Sequence, residues 1–364
     1  MYYIKWSLIL MVGITGTIWQ SKSRPRPAEP AFQYLTNDSI TLDIYETFDA
    51  AGLLNGYRTH VRTPVCEDRL CYDAELDFFW DLLGKFTHFE TDPAKPLTKL
   101  DHVPFTAADY ERLDRILRTE SPAFIHLRRS ELIVEPEQGD ETIDGVTGAT
   151  VQAVRQDMVA GAIYTCYTLW HIANGGITFR IQEHSRKQLE APLIRKLLRE
   201  GNAREHYFLL ENMAPEYFAE FLEPVLDLAD RYQAFFAARI GEQLPPELFG
   251  RPEVQTFFQQ HFSRLDLSAQ EVWIDRLAAV PRLDASTRLF LIEQLTAGNP
   301  PRNQQIIKLL IDRSEPEETE VFAALFTQLL DHGIRPAPGI LGSLDAIAAG
   351  DRQLKKMLKR LKKL

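Results

Sequence analysis

Residues 70–78 read Leu-Cys-Tyr-Asp-Ala-Glu-Leu-Asp-Phe, and they alternate in part between apolar and polar side chains. Partial alternation between polar boundaries is typical of a strand with one buried face. A second stretch, from Thr106, instead places its apolar side chains on one helical face, at Tyr110, Leu113, Ile116 and Leu117. A strand and a helix this close in sequence predict a mixed α+β fold for this part of the chain.

The patterning on either side of these stretches divides the chain into three zones. Residues 1–32 are a targeting segment and linker, residues 33–180 form the α+β domain, and residues 185–364 are helical almost throughout. Helical hairpins of the third zone are expected to begin near Glu253, Asp284 and Pro316, which are 31–32 residues apart. That period is typical of helical-hairpin solenoids, with an irregular helical bundle as the alternative.

Local signals place several helix ends and turns. Strings that match or approximate a capping box predict helix starts at Ser185, Asn202, Ser268 and Ser314. In the second zone we expect a turn at Gly84 and a strand pair or extended segment from Phe124 to Val134. A helix is expected from about Val151 to Asn174, ended by Asn174-Gly175-Gly176 as a left-handed C-cap.

Composition excludes several classes of protein. The 364 residues are 45% hydrophobic and 25% charged, as in ordinary folded proteins. The net charge of −10 disfavours a nucleic-acid binder, which needs a basic face. The sequence has no C-x-x-C-H, G-x-S-x-G or H-E-x-x-H string, and so it lacks these haem-attachment, hydrolase and zinc-protease signatures.

The N-terminus predicts export. Lys5 precedes an uncharged, largely apolar run from Trp6 to Gln20, and a proline-rich polar segment follows it. The run suits a secretory signal and is short for a membrane span. We expect an extracytoplasmic, periplasmic chain. It is soluble after signal cleavage or anchored to the inner membrane by this segment, with a buried N-terminal helix as the remaining alternative.

The sharpest local signal is the string Asp144-Gly145-Val146-Thr147-Gly148-Ala149-Thr150. Gly148 and Ala149 are small, so a bulky group can approach the backbone there. Thr150 stands at or beside the predicted helix start, where free N–H groups favour an anion such as phosphate. Six acids lie between Glu131 and Asp144. Such acids disfavour an exchanging phosphate ligand, and a covalent bond would remove that difficulty. A plain threonine N-cap after a glycine turn is the structural alternative.

The string resembles the motif of the FMN-binding domain family, which occurs in flavin-carrying subunits of sodium-pumping and related electron-transport complexes. In that family the pattern is Asp-x-x-Ser/Thr-Gly-Ala-Thr, and the last threonine carries FMN through a phosphodiester bond. Asp144, Thr147, Gly148, Ala149 and Thr150 fill the pattern. The family often has Ser or Thr two places after the acceptor, where this chain has Gln152. The resemblance covers about residues 60–175.

The resemblance implies an electron-transfer protein or oxidoreductase subunit, with FMN attached to Thr150 by a flavin transferase that uses FAD and magnesium. Its implied partners are membrane or periplasmic redox proteins. The helical part lies outside the resemblance and is expected to dock such a partner, and the net charge predicts no nucleic-acid partner. The N-terminal segment offers a membrane contact. The alternative is an extracytoplasmic scaffold without flavin, which binds partners through the helical part.

The three cysteines have separate interpretations. Cys66 and Cys71 would face each other on a hairpin that turns at Asp68-Arg69, which predicts a structural disulfide rather than free thiols. Cys166 is expected to be a buried core thiol.

The remaining candidates have structural interpretations. Tyr164, Tyr167, Trp170 and His171 are expected to pack in the core rather than against a flavin. No metal site is expected from His88, Asp101, His102 and His126, because they contain no tight pair of ligands. The basic amphipathic tail from Gln353 to Leu364 is expected to cap the helical part, with contact to an anionic membrane or an acidic partner as the alternative.

Overall fold

The structure is a computed structural model, and it describes residues 29–37, 39–65, 72–99, 102–128, 131–132, 154, 158–232 and 234–364. The predicted α+β fold is confirmed, because a sheet is followed by many helices. The strands are β1 Phe32–Leu35, β2 Thr41–Phe48, β3 Leu54–Thr63, β4 Ala74–Trp80 and β5 Phe86–Glu90. The helices are α1 Ala107–Arg118, α2 Ile163–Asn174, α3 Ile177–Lys187, α4 Ala191–Glu200, α5 Ala203–Asn212, α6 Pro215–Glu220, α7 Leu222–Tyr232, α8 Ala234–Gln243, α9 Pro252–His261, α10 Leu267–Ala278, α11 Ala285–Glu293, α12 Pro300–Asp312, α13 Thr319–Asp331, α14 Pro338–Ala348 and α15 Arg352–Leu361.

The sheet is an antiparallel meander in the order β1-β2-β3-β4-β5. Its longest pairing joins β3 to β4, from Tyr57 opposite Trp80 to Thr63 opposite Ala74. Along both strands buried side chains alternate with exposed or half-buried ones, so one face is apolar and the other polar. The predicted strand at 70–78 is confirmed from Ala74 onward.

The apolar face of the sheet packs on helices α2 and α3. The indole of Trp80 donates to the carbonyl of Ala173, at 2.7 Å between Nε1 and O. Gly84 forms the predicted turn with φ +72°, and a Cβ there would lie 2.7 Å from the backbone of Thr178. Glycine is therefore required at this turn by both its backbone angle and the neighbouring helix. Helix α3 runs across residues 180–185, where the sequence predicts the end of the α+β domain.

Helices from α4 onward, apart from α6, stack in two rows. Each helix of one row contacts the next in the order α4, α7, α9, α11, α13 and α15, and the other row is α5, α8, α10, α12 and α14. The predicted hairpin starts near Glu253, Asp284 and Pro316 agree within three residues with α9, α11 and α13. Their buried residues belong to the same continuous core as the sheet.

Three expectations for the second zone are wrong. The helix that ends at Asn174 begins at Ile163, because a turn with Gly161 at φ +75° precedes it. It ends as predicted, but its cap Gly175 has φ −75° and is not left-handed. The segment expected to be extended from Phe124 contains a turn instead, since Leu127 N–H donates to the carbonyl of Phe124.

Of the four predicted capping-box strings, only the one at Asn202 is confirmed, and it forms a complete box with Glu205. The helix predicted from Thr106 also begins there, with a complete box between Thr106 and Asp109. The three serine starts are wrong. Ser185 is buried inside α3, the cap of α10 is Asp266 rather than Ser268, and α13 begins at Thr319, after the string that starts at Ser314.

The tail packs on the helical part, as expected, and nothing in this packing tests a contact of its basic face. Leu354, Leu358 and Leu361 of α15 are buried, and the helix packs on α13 and α14. Among the helices of the described residues, none is long and apolar enough to cross a membrane.

Candidate functional site

The predicted attachment string, with Asp144, Thr147, Gly148, Ala149 and Thr150, lies outside the described residues. Cys66 and Cys71 also lie outside them. Apolar residues on either side of the string are buried: Leu132 before it, and Val154, Met158 and Val159 after it, are at most 2% exposed. The chain is therefore anchored in the core both before and after the string.

A polar cleft of about 720 Å³ lies at the polar face of the sheet. One wall is the end of the β3–β4 hairpin and the other is the loop between β5 and α1. The lining residues are Arg62, Tyr72, Asp73, Glu75, Ala94, Lys95, Pro96, Thr98, His102 and Pro104. A volume of this size is within the range of small-molecule sites in proteins.

The charges in the hairpin wall are paired across the strands. Arg62 stands opposite Glu75 in the sheet, and its Nε donates to Asp73 at 3.0 Å. Lys95, on the opposite wall, donates to Glu75 at 2.7 Å. The ammonium of Lys95 holds the pKa of the Glu75 carboxyl below its ordinary value. Glu75 is therefore held in its ionised form by Lys95, which leaves it poorly suited to acid–base chemistry.

Two aromatic rings stand together in the cleft. Tyr72 and His102 have ring centroids 4.6 Å apart, and Tyr72 is 65% exposed. His102 has a left-handed backbone, φ +58°, in a turn that its N–H closes by donating to the Lys99 carbonyl at 3.0 Å. Rings this accessible offer a stacking surface to a flat ligand.

The floor of the loop is fixed to helix α1. Lys99 forms a half-buried ion pair with Asp109 at 2.8 Å, and this contact lowers the pKa of the Asp109 carboxyl to about 2. A Cβ on Gly161 would lie 3.4 Å from the Cβ of Lys99. The loop that walls the cleft therefore lies against the turn that follows the predicted attachment string.

A buried polar network joins the sheet to helix α3. The Tyr57 hydroxyl lies 2.8 Å from Ser185 Oγ and 3.1 Å from His184 Nδ1, and Glu46 lies 3.7 Å from the same nitrogen. Ser185 Oγ donates to the Leu82 carbonyl at 2.6 Å, so its proton is engaged by the backbone. Burial raises the pKa of Tyr57 and lowers that of His184. These groups hold the sheet on the helix rather than forming a nucleophile and its base.

The aromatic residues of α2 pack as predicted. Tyr167 donates to the Leu127 carbonyl at 2.9 Å, and the Trp170 indole donates to the Thr119 carbonyl at 2.8 Å. Cys166 is fully buried, and burial raises the pKa of its thiol to about 12. A thiol in this environment is unreactive.

An aromatic groove of about 520 Å³ lies on the helical part. Tyr207 and Phe235 stack there with ring centroids 5.8 Å apart, and Phe235 is 62% exposed. Its other lining residues are Ala203, Arg204, Tyr232 and Phe236. An exposed aromatic cluster of this kind suits a protein contact.

The histidines of the α+β part are dispersed. His88 lies 3.9 Å from Glu90, His102 lines the polar cleft and His126 is exposed, while Asp101 is outside the described residues. Within the described ranges no three His, Cys, Asp or Glu side chains converge as metal ligands would.

Neither the cleft nor the groove could be found from sequence patterns. Arg62, Lys95 and His102 are far apart in the chain, and no motif connects them. The groove leaves only a weak signal, aromatic side chains at Tyr207 and Phe235 on the outward faces of their helices.

No protein-family model, no curated protein and no solved structure matches this chain. Its function must therefore be inferred from its own residues.

Proposed function

We propose that the protein is an extracytoplasmic electron-transfer flavoprotein that carries FMN covalently on Thr150. The observation that carries the proposal is the string from Asp144 to Thr150, with Thr147, Gly148 and Ala149 at their motif positions. Bound FMN supplies a ring that accepts and returns electrons, a task for which the protein contributes orientation and electrostatics.

The attachment needs only a free hydroxyl. Thr150 Oγ loses its proton and forms a bond to the FMN phosphorus of FAD, and AMP leaves. A flavin transferase with magnesium performs this step on the folded or exported chain. The product holds the cofactor without the Arg and Lys side chains that a freely exchanging phosphate requires.

The described structure supports a cofactor held beside the α+β core. Val154 is 2% exposed and follows Thr150 by four residues, and four residues of chain span at most about 14 Å. The polar cleft is lined by Tyr72 and His102, and its loop lies beside the turn at Gly161 through Lys99. We propose this cleft as the binding site of the flavin ring.

The described side chains offer little redox chemistry of their own. Cys166 is buried with its thiol pKa raised to about 12. Electron transfer by this chain would therefore depend on an added group, such as the proposed flavin.

The helical part is proposed as a solenoid-like array that docks a redox or membrane partner. Two observations support the array. The helices contact in two rows, and side chains bond backbone groups about one hairpin away, as between Trp273 and Ala237, Arg313 and Ala278, or Gln328 and Leu295. These pairs are 36, 35 and 33 residues apart.

A scaffold without flavin is the second candidate. It is favoured by the aromatic groove, because exposed Phe235 and Tyr207 need no cofactor to contact a partner. In this case the α+β part would serve only to present the helical part.

The deciding experiment is intact mass of the full chain coexpressed with an active flavin transferase. We expect the wild type to gain one FMN less one water, and Thr150→Ala to gain nothing. Thr327→Ala, which removes an exposed hydroxyl from α13, is the matched control and should be flavinylated like the wild type.

Two results would contradict the proposal in different ways. An unmodified wild type, with a known substrate modified in the same cells, would leave the scaffold as the better account. FMN on the Thr150→Ala protein would show that another residue is the acceptor.

A further inference from the structure

Helix α15 and the three residues after it form the most basic segment of the chain. From Arg352 to Leu364 there are seven Lys and Arg and no Asp or Glu. The chain as a whole carries −10, so the rest of it carries −17. Charge is therefore distributed asymmetrically along the chain, with positive charge concentrated at α15 and net negative charge elsewhere.

The cations point away from the helical stack. Leu354, Leu358 and Leu361 are buried against α13 and α14, whereas all seven cations are exposed. At 3.6 residues per turn, the side of α15 opposite this buried stripe carries Arg352, Lys356 and Lys359, and exposed Lys363 follows in the turn after the helix. We call these four residues the basic ridge.

The ridge is not neutralised within the described residues. Lys362, beside it, forms an ion pair with Asp345 at 2.6 Å. No ion pair in the described part of the chain involves the four ridge side chains. The ridge is thus available to an external anion.

We propose that the basic ridge docks the protein on a membrane surface that contains anionic phospholipids. Three of its four cations are lysines, which act as mobile point charges and suit a fluid surface of dispersed headgroups. Folded protein partners favour Arg and aromatic anchors instead, and residues 351–364 contain no aromatic residue. A single-stranded nucleic acid also requires aromatic stacking platforms, and residues 351–364 offer none.

The contact is peripheral. The apolar stripe of α15 is already buried in the protein, so it cannot enter the acyl chains. Binding by the ridge is then coulombic, and it weakens as salt shortens the screening length. This proposal is independent of the flavin, since no ridge residue lies in the α+β part.

The test measures lysine protection in the full chain. The protein is acylated at its amines in the presence of vesicles, and the modified lysines are quantified by peptide mass spectrometry. One set of vesicles is pure phosphatidylcholine, and the other contains one third phosphatidylglycerol. We expect Lys356, Lys359 and Lys363 to react several-fold more slowly with the anionic vesicles only, and to recover at high salt. Lys308, exposed on α12, should be unaffected. This measurement gives the same information whether or not residues 6–20 hold the chain on the vesicle.

Matched variants separate the ridge from net charge. Lys356→Gln/Lys359→Gln/Lys363→Gln should weaken partitioning to anionic vesicles by at least about tenfold, since each cation near such a surface is worth about fivefold. Arg264→Gln/Lys308→Gln/Arg335→Gln removes the same charge from exposed positions elsewhere and should change it little.

Three outcomes would overturn the proposal. Equal protection by neutral and anionic vesicles would exclude a role for lipid charge. Equal losses in the two triple variants would mean that net charge, not the ridge, acts. Protection by single-stranded RNA but not by vesicles would assign the ridge to a nucleic acid.

Discussion

The sheet-bearing part of the molecule, up to Lys187, and the helical part from Ala191 are held by contacts of very different range. Trp80 reaches Ala173 across 93 residues, and Tyr57 reaches Ser185 across 128. In the helical part the corresponding bonds join residues 33 to 36 apart, one hairpin to the next. The helical part can therefore form by local addition, whereas the sheet needs distant segments in place first.

Overpacking one helical interface should produce the largest loss of stability. A Cβ on Gly241 of α8 would lie 2.2 Å from Trp273 Nε1, so Gly241→Ala forces α8 and α10 apart. We expect a loss of about 3 kcal/mol in the free energy of unfolding, measured by urea denaturation.

Gly342→Ala is the matched control for that change. Gly342 lies inside α14, and a Cβ added there would have no neighbour within 4 Å, so alanine should stabilise the protein by about 0.5–1 kcal/mol. Equal effects of the two substitutions would show that the contact between α8 and α10 does not limit stability.

The β3–β4 hairpin provides the next test, through Cys66 and Cys71. The last described pair of this hairpin is Thr63 with Ala74. Cys66 and Cys71 lie outside the described residues, and their disulfide stays a prediction of the sequence. A disulfide there should stabilise by about 2 kcal/mol, because it closes a short loop in the unfolded chain. Denaturation with and without reductant measures this difference.

The double variant Cys66→Ser/Cys71→Ser is the control. It should be insensitive to reductant and should match the reduced wild type. Two alkylated thiols at these positions in the unreduced, exported protein would rule the disulfide out.

The smallest expected effect concerns Asp109, which joins α1 to the loop of the polar cleft. Its pKa of about 2 lies below its ordinary value, mainly because of the bond from Lys99. A depressed folded pKa adds stability that is present above about pH 4 and is lost as pH falls toward 2. Asp109→Asn should cost about 1 kcal/mol at pH 7, and the difference from wild type should shrink as pH falls below about 4 and disappear only below the folded pKa of about 2.

Asp114→Asn is the comparison on the same helix. Asp114 makes an exposed ion pair with Arg118, so its loss should cost only a few tenths of a kcal/mol. A constant difference between wild type and Asp109→Asn across the acid range would contradict the role given to Lys99.

The same contrast of range explains what could be predicted from sequence. Thr106 and Asn202 begin helices through contacts three residues away, and both were predicted correctly. The box at Ser185 failed because that hydroxyl bonds Tyr57 and Leu82, about 100 or more residues distant. The break at Gly161 also went unpredicted, since apolar residues continue through it and it is fixed by packing near Lys99.

Sites assembled from distant residues were beyond sequence reasoning. The polar cleft joins Arg62, Lys95 and His102 through the hairpin register and the loop before α1. The attachment string, in contrast, is a local motif, and it stays a prediction because residues 144–150 lie outside the described residues.

Helix α3 has a practical consequence for dividing the molecule. Ser185 of this helix bonds to the Tyr57 hydroxyl of the sheet, and Gln182 donates to the Leu83 carbonyl in the β4–β5 turn. A cut at 180–185 would therefore remove the hydrogen-bond partners of Tyr57 and Leu83. A shortened gene for the sheet part should therefore continue through Lys187 and stop before Ala191, where the intervening Gln188–Glu190 carries no helix. Fragments that end earlier would expose the apolar underside of the sheet and should be recovered from inclusion bodies rather than from solution.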